Sequence, residues 1–588
     1  MKTDEQEITF KSLFIPFTTL KAALILVFTG IAVFMNSLFN PFVYDDIQNI
    51  VISPYVRNLA SIPSYFYSGL AYPGTSILQF FHIFYLPFLF TIYTILVSAF
   101  GISPLPFHPL QLTLHIISAL LLFLIFSKFF KLNLAFLLSL IFLVHPLNSE
   151  AVIYIAALQY PLLMTFGLIV FYLLLKKQEI LLSYRYQFFL AFLLFLCLLS
   201  KETGILFIPI LLFYALLFSR KNLKRIVGAI FFATVPYLIL KILAANHALW
   251  TIYPSAIHRA GLLTRIITIP KILLYYISKF FIPINFSVDQ RWLVKQINFQ
   301  SFYFPAIVDV LFFAGIFICG VYIYQRKTKL FGLYIFFALW FCLGISTVLQ
   351  IIPLDVTVAD RWFYFPFVGL LGMLGIIYNA FFERLKTKKL ITNLILILSV
   401  ILILLLSALT IVRNSQWQTS SQLYSHDEKY AGESAELEAY LGEIFVANGQ
   451  LNTAKIRFEK AISFDPMGDS LNGLAYVYEQ QKNYTKAKKL YWQNIKLSNG
   501  LPKYISYEGL TRIALIDEHN PWEAKQLSKA AFVLYPNDEA LIKLLAFSEY
   551  FTKDKTEALE TFRKLLNIVP NQENQKIYLM MENNKLTY

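Results

Sequence analysis

Residues 17–46 read FTTLKAALILVFTGIAVFMNSLFNPFVYDD and contain the first feature that decides the fold. The part at 17–39 is apolar and long enough to cross a bilayer as a helix. Directly behind it stand two adjacent carboxylates, Asp45 and Asp46. Two acids at a membrane surface are costly unless they have a function. The stretch therefore predicts a membrane-anchored chain with a candidate functional site at the end of its first span.

The composition extends this prediction to the whole chain. Of the 588 residues, 57% are hydrophobic, 17% are aromatic and only 14% are charged. Repeated long apolar runs with so little charge exclude the soluble globular classes and indicate a polytopic membrane protein. The first span lacks a cleavage site of small residues, so we expect an uncleaved anchor. The three cysteines lie inside apolar spans, which argues against an extracytoplasmic disulfide framework.

The net charge of +15 orients the chain in the membrane and does not indicate nucleic-acid binding. The basic residues concentrate in short turns between apolar spans, as the cytoplasmic side of a membrane protein requires: Lys128 and Lys131; Lys176, Lys177 and Arg185; Arg220, Lys221, Lys224 and Arg225; Arg326, Lys327 and Lys329; Arg384, Lys386, Lys388 and Lys389. The intervening turns carry almost no basic residues. We therefore expect a cytoplasmic N-terminus and an extracytoplasmic chain after residue 412.

The fold class predicted from these patterns is all-α, with about eleven spanning helices. The predicted spans are 17–39, 108–127, 132–146, 152–175, 186–200, 203–219, 226–245, 303–323, 330–352, 362–381 and 390–412. Two further apolar stretches, 83–100 and 266–285, would break the charge pattern if they crossed. We expect both to lie as helices at the outer surface, or as short re-entrant hairpins.

From about residue 414 the chain becomes polar and repetitive. Ala454, Ala487, Ala524 and Ala558 recur at intervals of 33, 37 and 34 residues, and prolines follow three of them twelve residues later. This spacing is typical of tetratricopeptide repeats (TPRs), which pair helices through small residues and end the second helix at proline. The sequence thus predicts two domains, a transmembrane domain at 1–413 that carries the candidate functional site and a TPR domain of three to four repeats at 414–588. Such solenoids usually bind an extended peptide.

Five segments at the outer ends of spans carry candidate chemistry: FVYDD (42–46), FHPLQLTLH (107–115), HPLNSEAV (145–152), SKETG (200–204) and ADRWFYFP (359–366). Adjacent carboxylates repel, which raises at least one pKa and suits a general base. Asp45 and Asp46 are therefore candidate catalytic residues. The alternative is a helix N-cap and its neighbour.

The other charged segments are candidates for substrate binding. Arg361 could hold a phosphate through two parallel hydrogen bonds, or pair with its neighbour Asp360. Lys201 and Glu202 could form a phosphate contact beside a positioning carboxylate, or pair with each other. The histidines, among them His145, are too dispersed in the sequence to indicate a metal site.

In this order, FVYDD, HPLNSEAV, LSKETG, ADRWFYFP and the trailing repeats resemble the transmembrane-and-TPR-containing protein O-mannosyltransferases. More broadly, the chain resembles the GT-C glycosyltransferases, which include the protein O-mannosyltransferases and the lipid A aminoarabinose transferases. The resemblance implies a polyprenyl-phosphate-linked sugar donor and a reaction outside the cytosol. It further implies Asp45 as the base, supported by Asp46. Glu150 would face the donor or acceptor, with His145 in the same segment, while Lys201 and Arg361 would hold the lipid phosphate.

The chain departs from the family at one position. The family often has an arginine in a YRPL-like segment ahead of the surface helix, where this chain reads Tyr85-Leu86-Pro87. If that arginine helps to bind the donor phosphate, another group must replace it here.

The hypothesis from sequence is a glycosyltransferase that moves a sugar from a lipid-linked donor to a hydroxyl, with an acceptor polypeptide recruited by the repeats. Its residue usage favours a bacterial inner membrane, with the site and the repeats on the periplasmic side. Two alternatives stay open: an oligosaccharyltransferase or glycan- or lipid-modifying enzyme with a lipid-linked donor, and a non-catalytic scaffold whose repeats dock envelope proteins. No cofactor is implied with certainty, and the sequence leaves a divalent metal, the sugar and the acceptor open.

Overall fold

The structure is a computed structural model that describes residues 17–53, 55–67, 85–176, 183–245, 256–382, 389–466, 468–497, 504–536, 538–569 and 571–587. Its regular structure is helical throughout these ranges, apart from an isolated antiparallel bridge between Gln290 and Val358. The predicted all-α fold class is therefore confirmed. The described residues form two compact units: 17–67, 85–243 and 260–426 make up the first, and 244–245, 256–259 and 427–587 make up the second. The predicted boundary at residue 413 remains a prediction.

The helices up to the end of the first unit are α1 Thr19–Phe34, α2 Ile62–Tyr67, α3 Pro87–Phe100, α4 Phe107–Phe126, α5 Leu132–Val144, α6 Ser149–Ile153, α7 Gln159–Lys176, α8 Tyr184–Ser200, α9 Phe207–Phe218, α10 Leu223–Ala245, α11 Ala256–Arg259, α12 Leu262–Phe281, α13 Phe304–Arg326, α14 Thr328–Ser346, α15 Tyr364–Phe382, α16 Lys389–Ser415 and α17 Ser420–Ala431. Of these, α11 belongs to the second unit, and α17 continues into it.

Many of these helices are suited to a membrane. Within the described ranges, eight are long and apolar enough to cross one, namely α1, α4, α7, α10, α13, α14, α15 and α16. A ninth crossing is formed if α5 and the following segment Pro146–Ile153, bent by 53°, are a single span. The helices α3, α8 and α9 are apolar but shorter. All eleven predicted segments are thus helical and indicate a membrane protein, whereas the count of eleven crossings remains a prediction.

Close packing of α14 on α15 fixes the start of α15, where Arg361 lies. A Cβ atom on Gly369 of α15 would come within 2.3 Å of the backbone nitrogen of Phe341. Only a glycine permits this approach, because any side chain would overlap the α14 backbone. One turn nearer the start of α15, the Trp340 indole donates a 3.1 Å hydrogen bond to the carbonyl of Phe365.

Buried amides hold the loop that follows α1. The Asn414 side chain at the end of α16 donates to the carbonyl of Val33 at 3.1 Å, and Asn40 donates to the carbonyl of Asn414 at 3.3 Å. His108 at the start of α4 contacts the carbonyl of Asn40 through Nε2 at 2.9 Å. These bonds satisfy the free carbonyls of the helix end, which would be costly if buried without partners. The loop carrying Asp45 is therefore anchored on both sides.

The second unit is a series of helical hairpins: α18 Ala435–Ala447, α19 Leu451–Phe464, α20 Asp469–Gln480, α21 Tyr484–Leu497, α22 Tyr504–Arg512, α23 Pro521–Leu534, α24 Glu539–Phe551, α25 Lys555–Ile568 and α26 Gln572–Glu582. Each helix packs on the next, and the alternate helices α18, α20, α22 and α24 also contact one another in turn. The four repeating alanines at 454, 487, 524 and 558 are fully buried. Glycines complete the crossings, since a Cβ on Gly473 would come within 2.2 Å of the Phe458 ring. That these hairpins are TPRs remains a prediction.

Candidate active site

Asp46 is a buried clamp between two loops of the first unit. Its side chain is 1% exposed, and its two carboxylate oxygens accept hydrogen bonds from the backbone N–H of Val43 at 3.1 Å and of Ala156 at 2.7 Å. Ala156 belongs to a short 3-10 helix at Ile155–Ala157. Burial raises the pKa of Asp46 well above its usual value. Its side chain caps no helix and instead joins two separate loops, so the N-cap alternative is not what the structure shows, while a catalytic role for Asp46 stays a prediction.

Asp45 differs from its neighbour in being half-buried. Its backbone N–H donates to the hydroxyl oxygen of Tyr154 at 3.2 Å. The pKa of Asp45 is raised chiefly by burial, while Tyr154 and the charge of Arg361 oppose the rise. The preceding residue, Tyr44, has a left-handed backbone with φ of +50°. Such a conformation is uncommon for a bulky residue and is found preferentially at functional sites.

Arg361 is bound by Glu150 at two points. Its backbone N–H donates to Glu150 Oε2 at 3.0 Å, and its Nη1 forms an ion pair with Oε1. The guanidinium carbon lies 5.7 Å from the centre of the Tyr154 ring. The neighbouring Asp360 is not its partner, because that carboxylate accepts a 2.5 Å hydrogen bond from the Tyr275 hydroxyl. Glu150 therefore fixes the orientation of Arg361 directly beside the Asp45 loop.

Lys201 follows α8 and is buried against an aromatic ring. Its Nζ lies 4.4 Å from the centre of the Tyr160 ring. Burial and, to a smaller extent, the charge of Arg361 lower the pKa of Lys201 to about 8, while the charge of Asp355 acts in the opposite direction. Glu202 points elsewhere and forms an ion pair with Lys241 at the partly exposed surface. The structure thus separates the two neighbours that the sequence grouped together.

His145 uses both ring nitrogens on backbone groups. Its Nδ1 accepts from the N–H of Leu147 at 3.2 Å, which leaves Nε2 to donate to the carbonyl of Phe280 at 3.0 Å. The ring is 2% exposed and stacks on Phe280 at 5.6 Å. In this arrangement His145 holds the bend between α5 and the segment that carries Glu150.

Sequence reasoning missed three members of the cluster as site residues: Tyr154, Asp355 and Arg291. Arg291 is paired with Asp289 at 2.7 Å and donates to the backbone carbonyl of Asp355 at 3.3 Å. The charges of Arg291 and Asp355 both act on Asp45. A signal for Tyr154 was its place two residues after the end of HPLNSEAV. Across the described residues, no group of three or more His, Cys, Asp or Glu side chains is arranged to hold a metal ion.

The cluster therefore combines a half-buried carboxylate with cations held on separate loops. This combination is suited to deprotonating one group while binding an anionic one.

The motif resemblance is confirmed by comparison with known proteins. No family model matches the chain. A protein O-mannosyl-transferase of Caenorhabditis elegans is 27% identical over 455 residues, covering 75% of this chain and 62% of the relative. This chain is a homologue of a protein O-mannosyltransferase. It spans less than two thirds of the length of that relative.

Proposed function

We propose that this chain is a membrane glycosyltransferase that moves a sugar from a polyprenyl-phosphate donor to a serine or threonine hydroxyl of a polypeptide. The observation that supports it most is the half-buried Asp45, whose carboxylate lies in the electrostatic field of Arg361 and Arg291. A base and separate cations are what transfer from a phosphate-linked sugar requires. The name of the nematode relative adds independent support.

In this reaction Asp45 acts as the general base. The acceptor O–H gives its proton to the Asp45 carboxylate, and the oxygen forms a bond to the anomeric carbon of the sugar. The bond from that carbon to the phosphate oxygen breaks on the opposite face, and the electron pair leaves with the polyprenyl phosphate. Phosphate is a good leaving group, so no acid partner is required, unlike in glycoside hydrolysis. Because only ionised Asp45 accepts the proton, the rate rises as the pH increases through its raised pKa.

Arg361 and Lys201 hold the phosphate in this proposal. Glu150 binds the main-chain N–H and Nη1 of Arg361, and the Tyr160 hydroxyl also bonds the guanidinium, whose five N–H donors still include ones that can bind an oxyanion in this proposal. Lys201 adds a compact second cation that also lies in the electrostatic field of Asp355. Asp46 and His145 act as positioning residues, because the structure engages both with backbone groups.

The second unit acts in this proposal as a TPR solenoid that presents the acceptor polypeptide. Its alternating helices and buried alanines support that assignment. The distribution of basic turns supports an orientation with the Asp45 loop and the second unit outside the cytosol, which in a bacterium is the periplasm.

Transfer by the purified full-length chain in lipid vesicles tests the proposal. Polyprenyl-phosphate-linked radiolabelled mannose serves as the first donor and a serine- and threonine-rich peptide as the acceptor. Asp45→Asn should lower the rate about 10²–10⁴-fold, the usual loss for a general base. Asp517→Asn is the matched control, since this exposed aspartate of the second unit bonds the Tyr484 hydroxyl. A folded Asp45→Asn protein that transfers sugar at the normal rate refutes the role of Asp45.

A further inference from the structure

The second unit contains a groove of about 340 Å³ between its alternate helices α18, α20 and α22. Its lining combines acidic, amide, aromatic and basic side chains: Glu443, Asp469, Glu508, Asn472, Tyr476 and Arg512. Apolar atoms still provide most of the wall, chiefly from Phe458, Val446 and Ile505. A groove of this kind is suited to a ligand with an extended body and a few polar groups.

The charges of the groove favour a cation. Arg512 is already bound by Glu479 at 2.7 Å and by Glu508 at 2.9 Å. Glu443 forms no ion pair within the part of the chain that the structure describes. Its side chain is open to solvent, yet surrounding protein and the charge of Asp469 raise its pKa to about 7. A cation bound beside Glu443 offsets the charge of Asp469 and favours the ionised form of Glu443.

A second observation points to a polypeptide backbone. Asn494 accepts from the N–H of Gly468 through Oδ1 at 3.1 Å, so its Nδ2 must be the donor to Asn472, at 3.0 Å. Asn472 Oδ1 is therefore the acceptor, and it also accepts from Ser506 at 2.7 Å. The Asn472 side chain is 5% exposed and lines the groove. Its Nδ2 makes no hydrogen bond to any residue that the structure describes, which leaves a donor on a largely buried side chain that is suited to a main-chain carbonyl.

We propose that this groove binds an extended polypeptide segment carrying a lysine or arginine. The Asn472 amide donates to a main-chain carbonyl of the segment, and Glu443 and Asp469 bind the cationic side chain. The half-exposed ring of Tyr476 packs against the aliphatic stem of that side chain. Identifying the segment as part of the glycosylation acceptor rests on the proposed function, whereas the binding itself does not.

Peptide binding to the full-length chain in nanodiscs tests the groove, with fluorescence polarisation as the readout and no sugar donor present. The probes are two labelled 12-residue peptides that differ only in having lysine or glutamine at the central positions. We expect the lysine peptide to bind about tenfold more tightly than the glutamine peptide at low salt, and the difference to shrink as salt is added. Equal affinities for the two peptides would overturn the proposal.

A charge reversal distinguishes binding in the groove from attraction to the net charge of the protein. Glu443→Lys should weaken lysine-peptide binding about tenfold, while the same peptide with central glutamates should gain affinity. Glu573→Lys is the matched control, because this exposed residue of α26 carries the same charge and lies outside the groove. An equal loss in both variants would show that only net charge matters and would also overturn the proposal.

Spermidine tests the backbone contact, because it carries cations but no carbonyl. Displacement of the lysine peptide by an equal concentration of spermidine would contradict polypeptide recognition, whereas retention of the peptide supports it.

The proposed function and the proposed groove can fail independently. A chain that binds the lysine peptide but transfers no sugar contradicts only the proposed function, and one that glycosylates lysine and glutamine peptides equally well contradicts only the identification of the bound segment as part of the acceptor.

Discussion

The adjacent residues Asp45 and Asp46 allow the sharpest test of this structure. The same change should lower the transfer rate at Asp45 and the stability of the fold at Asp46. Asparagine replaces a carboxylate with an amide of nearly equal size, but it offers one acceptor oxygen instead of two. The Asp45 backbone N–H donates to the Tyr154 hydroxyl, a bond that does not depend on the side chain, so Asp45→Asn leaves the local fold intact. Asp46 uses both side-chain oxygens on buried N–H groups. In Asp46→Asn, one of those two N–H groups faces the NH₂ donor of the amide and loses its acceptor.

The magnitudes follow from these contacts. One buried N–H without an acceptor costs about 1–3 kcal/mol, so Asp46→Asn should lower stability by about that much. The loss applies whether or not Asp46 is protonated, because a carboxylic acid oxygen still accepts and an amide nitrogen does not. Asp45→Asn should change stability less than Asp46→Asn does, because the half-buried Asp45 side chain bonds the Tyr154 hydroxyl, which an amide oxygen can also do. It should instead lower the transfer rate about 10²–10⁴-fold.

Two measurements on purified protein in detergent and in vesicles decide between these roles. The apparent melting temperature should fall for Asp46→Asn alone, and the transfer rate should collapse for Asp45→Asn alone. Any Asp46→Asn activity that is lost through unfolding should return when the assay temperature is lowered, because more of the protein is then folded. The reasoning is refuted if Asp46→Asn loses at least a hundredfold in rate with an unchanged melting temperature. That result would make Asp46 the base.

Three further changes probe the surrounding structure. The rate should fall above about pH 8 as Lys201 loses its proton, and Lys201→Arg should move this limb to higher pH, as a pH–rate profile will show. Glu150→Gln leaves Arg361 buried without its counter-charge and should destabilise the protein by about 3–5 kcal/mol, measured as a lower melting temperature. Gly369→Ala should also destabilise, because its Cβ would overlap the α14 backbone, whereas Gly315→Ala, with nothing within 4 Å, should be neutral or slightly stabilising.

Most of the membrane fold could be predicted from the sequence because each span carries its own signal. Length and hydropathy alone define an apolar helix, and every predicted span is helical in the structure. The bend after α5 could not be predicted in this way. It depends on the His145 ring, which caps one turn and bonds the carbonyl of Phe280, a residue 135 positions later. The sequence stays largely apolar through the bend, so hydropathy gives no signal of it.

The candidate site was only partly predictable, since local patterns show where a charge lies but not what it faces. Asp45 and Arg361 were visible because each stands at the end of an apolar span. The partner of Arg361 was not, because adjacency favoured Asp360 while the structure selects Glu150, 211 positions away. Tyr154 was missed for the same reason, lying 109 positions from the loop it contacts.

The missing family arginine near Tyr85 gains a physical explanation from the same long-range contacts. Its absence would matter most if the phosphate had no other cation nearby. In this chain the charge of Arg291 acts on Asp45 together with that of Arg361, and Arg291 is held in place by Asp289. A cation held on the 282–303 loop can neutralise the same oxyanion as one held ahead of α3, because Coulomb attraction depends on distance and not on the chain segment that supplies the charge. Under the proposed function, Arg291 is therefore a candidate for the role that the resemblance gives to the arginine ahead of α3.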